Sequence, residues 1–279
     1  MDMSLDGSAA TGVRWALVAG IFGLLVFQER RRVTWLSLGR ELVIVVAAYF
    51  LYFGVRGLTE GGVATATANA WDIVELERRA GLLREADLQS LIIGRQWLVD
   101  VVNWVYIWAH WPVIIVTSVW LYLYHPAAYV RTRDAFLVSG AIGLIVFALY
   151  PVAPPRLIDA GLVDTVTLHS NAYRVLQPPG LVNQYAAMPS LHFGWNLLIG
   201  LMIFHCSGNA VARALGVSLP AMMFFSVILS GNHFILDALV GGMLALGALG
   251  AVVWLYHGTP PPEKHAVRIP HRARREGSR

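Results

Sequence analysis

Apolar positions run along this chain in long blocks, not in alternation, and short polar or basic breaks separate the blocks. A helix needs about 20 mostly apolar residues to cross a ~30 Å hydrocarbon core. The pattern predicts such spans at about 42–58, 97–124, 135–150, 189–206, 214–230 and 234–256. The block at 15–28 is apolar but short, so it reads as a tight span or an interfacial helix. Residues 59–70 are rich in Gly, Ala and Thr and predict a loop. From 70 to 96, Trp71, Val74, Leu82, Leu83, Leu88, Leu91 and Ile92 mix with Glu75, Glu77, Arg78, Arg79 and Glu85. That mixture predicts short amphipathic helices lying on the membrane surface.

The expected fold is therefore all-α, a polytopic membrane bundle. A six-helix catalytic core over 42–257 follows an N-terminal hydrophobic helix and basic loop at 1–41. A basic tail at 258–279, proline-rich and without apolar periodicity, reads as disordered. Composition agrees: 57% of residues are hydrophobic and 14% charged, against about a quarter charged in a soluble domain. The single cysteine, Cys206, excludes an internal disulfide and a cysteine-based metal cluster. No repeat, P-loop or dinucleotide fingerprint is visible, so no cofactor, metal or nucleic-acid partner is expected. The N-terminus has no small-residue cleavage site, so no processing is expected there. Oligomeric state leaves no mark on the sequence.

Charge orients the bundle. Of the 21 basic residues, 13 fall in segments that come to one side: Arg30, Arg31, Arg32, Arg40, Arg131, Arg133, Arg213, Lys264, Arg268, Arg272, Arg274, Arg275 and Arg279. The positive-inside rule makes that side, with the C-terminus, cytoplasmic. A cell-membrane location is expected. The opposite, extracytoplasmic face then holds 59–96, the Pro-rich stretch around Arg156, the start of the 189–206 helix and Gly231–His233.

Those last three places also carry the candidate chemistry. Pro189-Ser190-Leu191-His192 opens a hydrophobic helix. Proline is tolerated at a helix start, where its missing N–H would be unpaired anyway, and the first free N–H groups with Ser190 make an anion site. His192 sits in the same turn. His233 and Asp237 are i, i+4, so they share a helix face. A carboxylate there can hold one imidazole nitrogen and leave the other free as a nucleophile. Prolines at 151, 154 and 155 stop a helix and fix Arg156 at the membrane edge. Two histidines, an anion site and an arginine on one face point to phosphoryl chemistry without a metal. In it, His233 attacks phosphorus, His192 protonates the leaving oxygen, and Arg156 with Ser190 holds phosphate oxygens.

Within the 97–124 span, Asp100, Asn103 and His110 form a polar stripe, with Tyr106 close to it. Polar groups in a span face the protein interior. The stripe either bonds neighbouring helices or, with Asn196, forms a wall of a substrate or acceptor cavity.

Pro-Ser-Leu-His followed some 40 residues later by His-x-x-x-Asp resembles the type 2 phosphatidic acid phosphatase superfamily. The form is most similar to its inositol phosphorylceramide synthase and sphingomyelin synthase branch. The resemblance implies six membrane helices, a phosphohistidine on His233, Asp237 as its orienting acid, His192 as general acid and base, and Arg156 as the phosphate-binding arginine. It covers about 42–256 and is carried by three short motifs. The chain departs from the phosphatases in having Ser226-Val227 where they have Ser-Arg, and in lacking a first-motif lysine upstream of Arg156. Fewer cations suit a singly charged phosphodiester better than a nearly doubly charged phosphomonoester. Asn183, Gln184, Tyr185 and Asn232 are candidate neutral donors in their place.

The implied substrate is a phospholipid or other lipid phosphate in the membrane, and the implied reaction is transfer of a phosphate-bearing head group to an acceptor. The alternative is a phosphatase using water, acting on phosphatidate-like or polyprenyl phosphates. A transporter, or a haem protein using His110 or His205, is a reading from another class. It lacks the internal repeats and paired broken helices of transporters and an evident second haem ligand.

Overall fold

The computed structural model describes residues 35–58, 62–166 and 183–257. The expected elements at 15–28 and 258–279 lie outside them. Among the described residues the chain forms nine α-helices: α1 (Trp35–Leu58), α2 (Val63–Ala80), α3 (Glu85–Ile93), α4 (Gln96–Trp108), α5 (Trp111–Tyr124), α6 (Pro126–Leu149), α7 (Leu191–Cys206), α8 (Ala210–Leu229) and α9 (Ile235–Tyr256). One 3-10 turn at Pro155–Leu157 and one isolated parallel bridge between Val152 and Ala186 complete the picture.

Length and hydropathy let α6, α8 and α9 cross a membrane, and α4 with α5 passes the same test only as a bent pair, the pattern of a broken span or a re-entrant loop. The α7 helix is apolar but only 16 residues long. The expected unbroken 97–124 span is corrected: it divides at Ala109–His110, and the two halves meet at 43°. Pro112 explains the break. It has no N–H to give, and its ring clashes with the carbonyl four residues back, which is that of Trp108. The helix therefore stops there and restarts at Trp111, with His110 in the corner.

Glycines set how closely the central helices approach. A Cβ on Gly194 of α7 would run into the Gly241 carbonyl of α9, and one on Gly241 would run into the Ser190 backbone. On the other side of α7, Gly200 lies against the Gly216 carbonyl and the Pro220 ring of α8. Pro220 withholds the N–H that the Gly216 carbonyl would otherwise accept. The α6 helix closes on α7 with Gly143 against Leu191 and Gly140 against Trp195. Leu144, Phe147, Leu191, Trp195, Leu198, Ile199, Ala245 and Ala248 fill the core so formed.

At the end of the bundle where α9 finishes, Arg133 is buried between Glu41 of α1 and Asp134, and Tyr256 donates to Asp134 at 2.6 Å. This network ties α1, α6 and α9 together. At the other end, α2 and α3 cover the start of α9. The expected surface helices are thus amphipathic, but their inward faces include two carboxylates, Glu77 and Glu85, both essentially fully buried. Gln89 of α3 donates to the carbonyls of Val163 and Leu229 and accepts from Val163 N–H, which clamps the 158–166 loop to the end of α8.

Candidate active site

The turn between α8 and α9 is built around Gly231. Its φ of +72° is the left-handed conformation that glycine adopts without strain. Its N–H returns to Ile228 O, and His233 N–H returns to Val227 O. Gly231 O accepts from the backbone N–H of Arg156 at 3.0 Å. One turn therefore fixes Asn232, His233 and the backbone of Arg156 together.

The first turn of α9 would leave N–H groups unpaired, and three carboxylates from three places take them. Asp237 Oδ2 accepts from Phe234 N–H at 2.8 Å, Glu85 Oε1 from Ile235 N–H at 2.9 Å, and Glu77 Oε1 from Leu236 N–H at 2.6 Å. Negative groups suit the positive end of a helix dipole. Burial, with hydrogen bonding to Glu85 adding to it, pushes the Glu77 carboxyl up to about 9. Glu77 therefore stays protonated at neutral pH, and the cluster carries less charge than three acids suggest.

His233 Nδ1 lies 2.7 Å from Ala187 O. A carbonyl only accepts, so Nδ1 carries the hydrogen, and the neutral ring in that tautomer has its lone pair on Nε2. Asp237 Oδ2 stands 3.6 Å from Nδ1, beyond hydrogen-bonding distance, and accepts from Phe234 N–H. The tautomer is thus held by a backbone carbonyl, with the carboxylate one step behind it. Ala187 is itself positioned by its N–H to Val152 O, and Ser190 N–H donates to Asp237 O.

His192, in the first turn of α7, faces His233 with 6.1 Å between ring centroids. Its ring stacks on Tyr106 at 4.7 Å and packs against His110 at 4.3 Å. Asn196 Nδ2 donates to His192 O at 2.9 Å and lies 2.8 Å from His110 Nδ1. Since Nδ2 is a donor, His110 Nδ1 accepts and that ring is neutral. The bend at His110 is what turns this ring inward.

Arg156 lines the same cavity and is the sole Arg or Lys among its described lining residues. Its Nε donates to Asn232 Oδ1 at 2.9 Å and its Nη1 to Asp164 Oδ2 at 2.9 Å. Tyr52, Trp111, Phe147 and Trp195 give the cavity an aromatic wall. Asn183, Gln184, Asn232, His110, His192 and His233 line it as well.

Other sequence candidates stand elsewhere. Ser190 caps α7 but is packed against α9 and does not line the cavity, and its buried Oγ has no hydrogen-bond partner among the described residues. Tyr185 packs into the cluster beneath the 151–153 segment, where its carbonyl accepts from Val152 N–H. Asp100 is exposed on α4 and accepts from Gln96 at 2.9 Å, so it walls no cavity. Asn103 is buried but exchanges two hydrogen bonds with Thr165, which holds the 158–166 loop. Asn196 supports His110 and His192 from behind. The sequence did not flag Glu77 and Glu85, Asp164, or the carbonyl of Ala187. A backbone carbonyl has no residue-type signal, and the two glutamates fall within the amphipathic pattern that predicts helices on the membrane surface.

Chemically, the arrangement can hold a tetrahedral anion between two imidazoles, one with a free nitrogen and one able to exchange a proton. A guanidinium and amide donors stand beside them. Among the described residues no group of three or more His, Cys, Asp or Glu is placed to hold a metal ion.

No curated protein and no solved structure matches the chain. The family model of the PAP2 superfamily matches residues 71–251, which includes both histidines, Arg156 and the cluster that caps α9. The chain therefore belongs to the PAP2 superfamily and is a membrane-associated enzyme of the type 2 phosphatidic acid phosphatase class, a phosphatase or phosphotransferase for lipid phosphates.

Proposed function

We propose that this enzyme moves a phosphate-bearing head group from a lipid phosphodiester to a hydroxyl acceptor through a phosphohistidine on His233. The observation that carries the reading is His192 and His233 facing each other across a cavity in which Arg156 is the one Arg or Lys among the described lining residues. In the first step the Nε2 lone pair of His233 forms a bond to phosphorus. The phosphorus–oxygen bond to the lipid alcohol breaks, and that oxygen leaves with the proton of His192. In the second step His192, now neutral, takes the proton of an acceptor hydroxyl. The acceptor oxygen bonds phosphorus, and the phosphorus–nitrogen bond breaks to restore His233. The Ala187 carbonyl and Asp237 support the positive charge on the imidazole through both steps.

The one guanidinium and the neutral amides among the described lining residues match one negative charge on phosphorus better than two. The aromatic wall suits the apolar part of a lipid. This favours the head-group transfer of the synthase-like branch over dephosphorylation. The basic asymmetry of the chain supports an extracytoplasmic site in the cell membrane.

The test is purified protein with head-group-labelled phospholipids, with and without polyol and lipid-alcohol acceptors. Label transferred to an acceptor hydroxyl is the expected result. Release of inorganic phosphate from phosphomonoester lipids alone would make the enzyme a phosphatase.

A further inference from the structure

We infer that Asp164 sets the charge preference of the phosphate site, by offsetting the guanidinium of Arg156 so that a singly charged phosphodiester is accepted over a doubly charged phosphomonoester. The inference rests on the lipid-phosphate reading of the cavity above and deepens it. Asp164 does not line the cavity, but its Oδ2 is 2.9 Å from Nη1 of Arg156, and the guanidinium does line it. Both side chains are largely shielded from water, at 9% exposure for Arg156 and 18% for Asp164. Charges in such a place are only weakly screened.

The pair is held in place from several sides. Arg156 is fixed through its backbone N–H on Gly231 O and its Nε on Asn232. Asp164 lies in the loop that Gln89 clamps at Val163 and Asn103 clamps at Thr165. With one carboxylate permanently beside one guanidinium, the pair adds no net charge to the site. Its remaining Arg156 donors still read phosphate oxygens geometrically. A second negative charge on the ligand is then opposed by Asp164, and among the described lining residues no further Arg or Lys offsets that repulsion.

Two effects of Asp164→Asn can be told apart. Any loosening of Arg156 costs the doubly charged monoester at least as much as the diester, so it can lower their ratio but cannot raise it. Loss of the carboxylate charge helps a ligand in proportion to its own charge, so it favours the monoester. The experiment compares p-nitrophenyl phosphate with methyl p-nitrophenyl phosphate at pH 8. These share a leaving group that needs no proton, and the nitrophenolate burst reports the first step whatever the acceptor. The expected result is a rise of about tenfold in the monoester-to-diester ratio of kcat/KM for Asp164→Asn. Asp164→Glu should keep the wild-type ratio. The ratio does not depend on how much protein is folded. An unchanged ratio in Asp164→Asn, or an equal rise in Asp164→Glu, would overturn the inference. A wild-type enzyme that prefers the monoester would instead sink the phosphodiester reading, while the comparison between variants would still decide the role of Asp164.

Discussion

The ring of His233 is oriented by a carbonyl, so the strongest side-chain evidence in the site concerns its partner, His192. That imidazole packs against the rings of Tyr106 and His110, a setting that suits an acid that must meet a leaving oxygen. General acid help is typically worth about 10²–10⁴-fold. His192→Ala should therefore slow natural lipid substrates by about that factor. With a nitrophenyl diester, whose leaving group departs unprotonated, the first step should return to within about tenfold of wild type. Pre-steady-state nitrophenolate release measures this, and an equal loss on both substrates would remove His192 from the role of acid. Both histidines, Asp237 and Arg156 could be picked from the sequence because each is a chemically distinctive residue at an apolar-helix end. Asp164 could not, since nothing in a loop sequence tells which of its acids faces an arginine.

At the scale of elements, the start of α9 is held by side chains from α2 and from the head of α3. Glu77 accepts from Leu236 N–H while keeping its own proton. A glutamine can make the same bond without a charge, so Glu77→Gln should leave folding and turnover close to wild type. Glu77→Ala abandons a buried N–H, a loss of about 1–3 kcal/mol. The pH dependence follows from the upward shift. Below about 4.5, where folded and unfolded chains both hold the proton, the wild type keeps its full stability. Between that value and about 9 the folded chain binds a proton that the unfolded chain has lost, so stability falls as pH rises. The slope is at most about 1.4 kcal/mol per pH unit. Thermal unfolding in detergent from pH 5 to 9 should show Glu77→Gln gaining on the wild type as pH rises, and parallel curves would contradict the assignment. Helix positions were largely legible from the length of the apolar blocks, but 63–70, read as a loop from its Gly, Ala and Thr content, is the start of α2. The break at His110 was carried by Pro112 but masked by unbroken hydrophobicity on both sides. The burial of Glu77 and Glu85 depends on α9 lying beneath them, a tertiary fact that local pattern does not contain.

On the scale of the whole molecule, the two ends of the bundle differ in kind. One end has the cavity, the α9 cap and the clamped 158–166 loop. The other has the buried Arg133 network and the α7–α8 corner. From the sequence charge we propose that the first end faces out and the second in. Single cysteines at Asp159 and Gly208, both exposed, test this in a Cys206→Ser background. Gly208 has open space for a side chain. A membrane-impermeant maleimide applied to intact cells should label position 159 and spare 208, and the reverse pattern would invert the topology. The bundle class was legible because hydrocarbon demands long apolar helices. The close packing of α7 between α8 and α9 was less so, because small residues along a helix do not say which neighbour they admit.

The central claim is that His233 carries the transferred group, and one measurement addresses it directly. Wild-type protein is mixed with a lipid phosphodiester labelled at phosphorus, quenched before acceptor is added, and digested to peptides. The account predicts acid-labile, base-stable label on the peptide containing His233, lost in His233→Ala and released when acceptor is supplied to the wild type. Label that persists in a folded His233→Ala protein, or that sits on another residue, would contradict it.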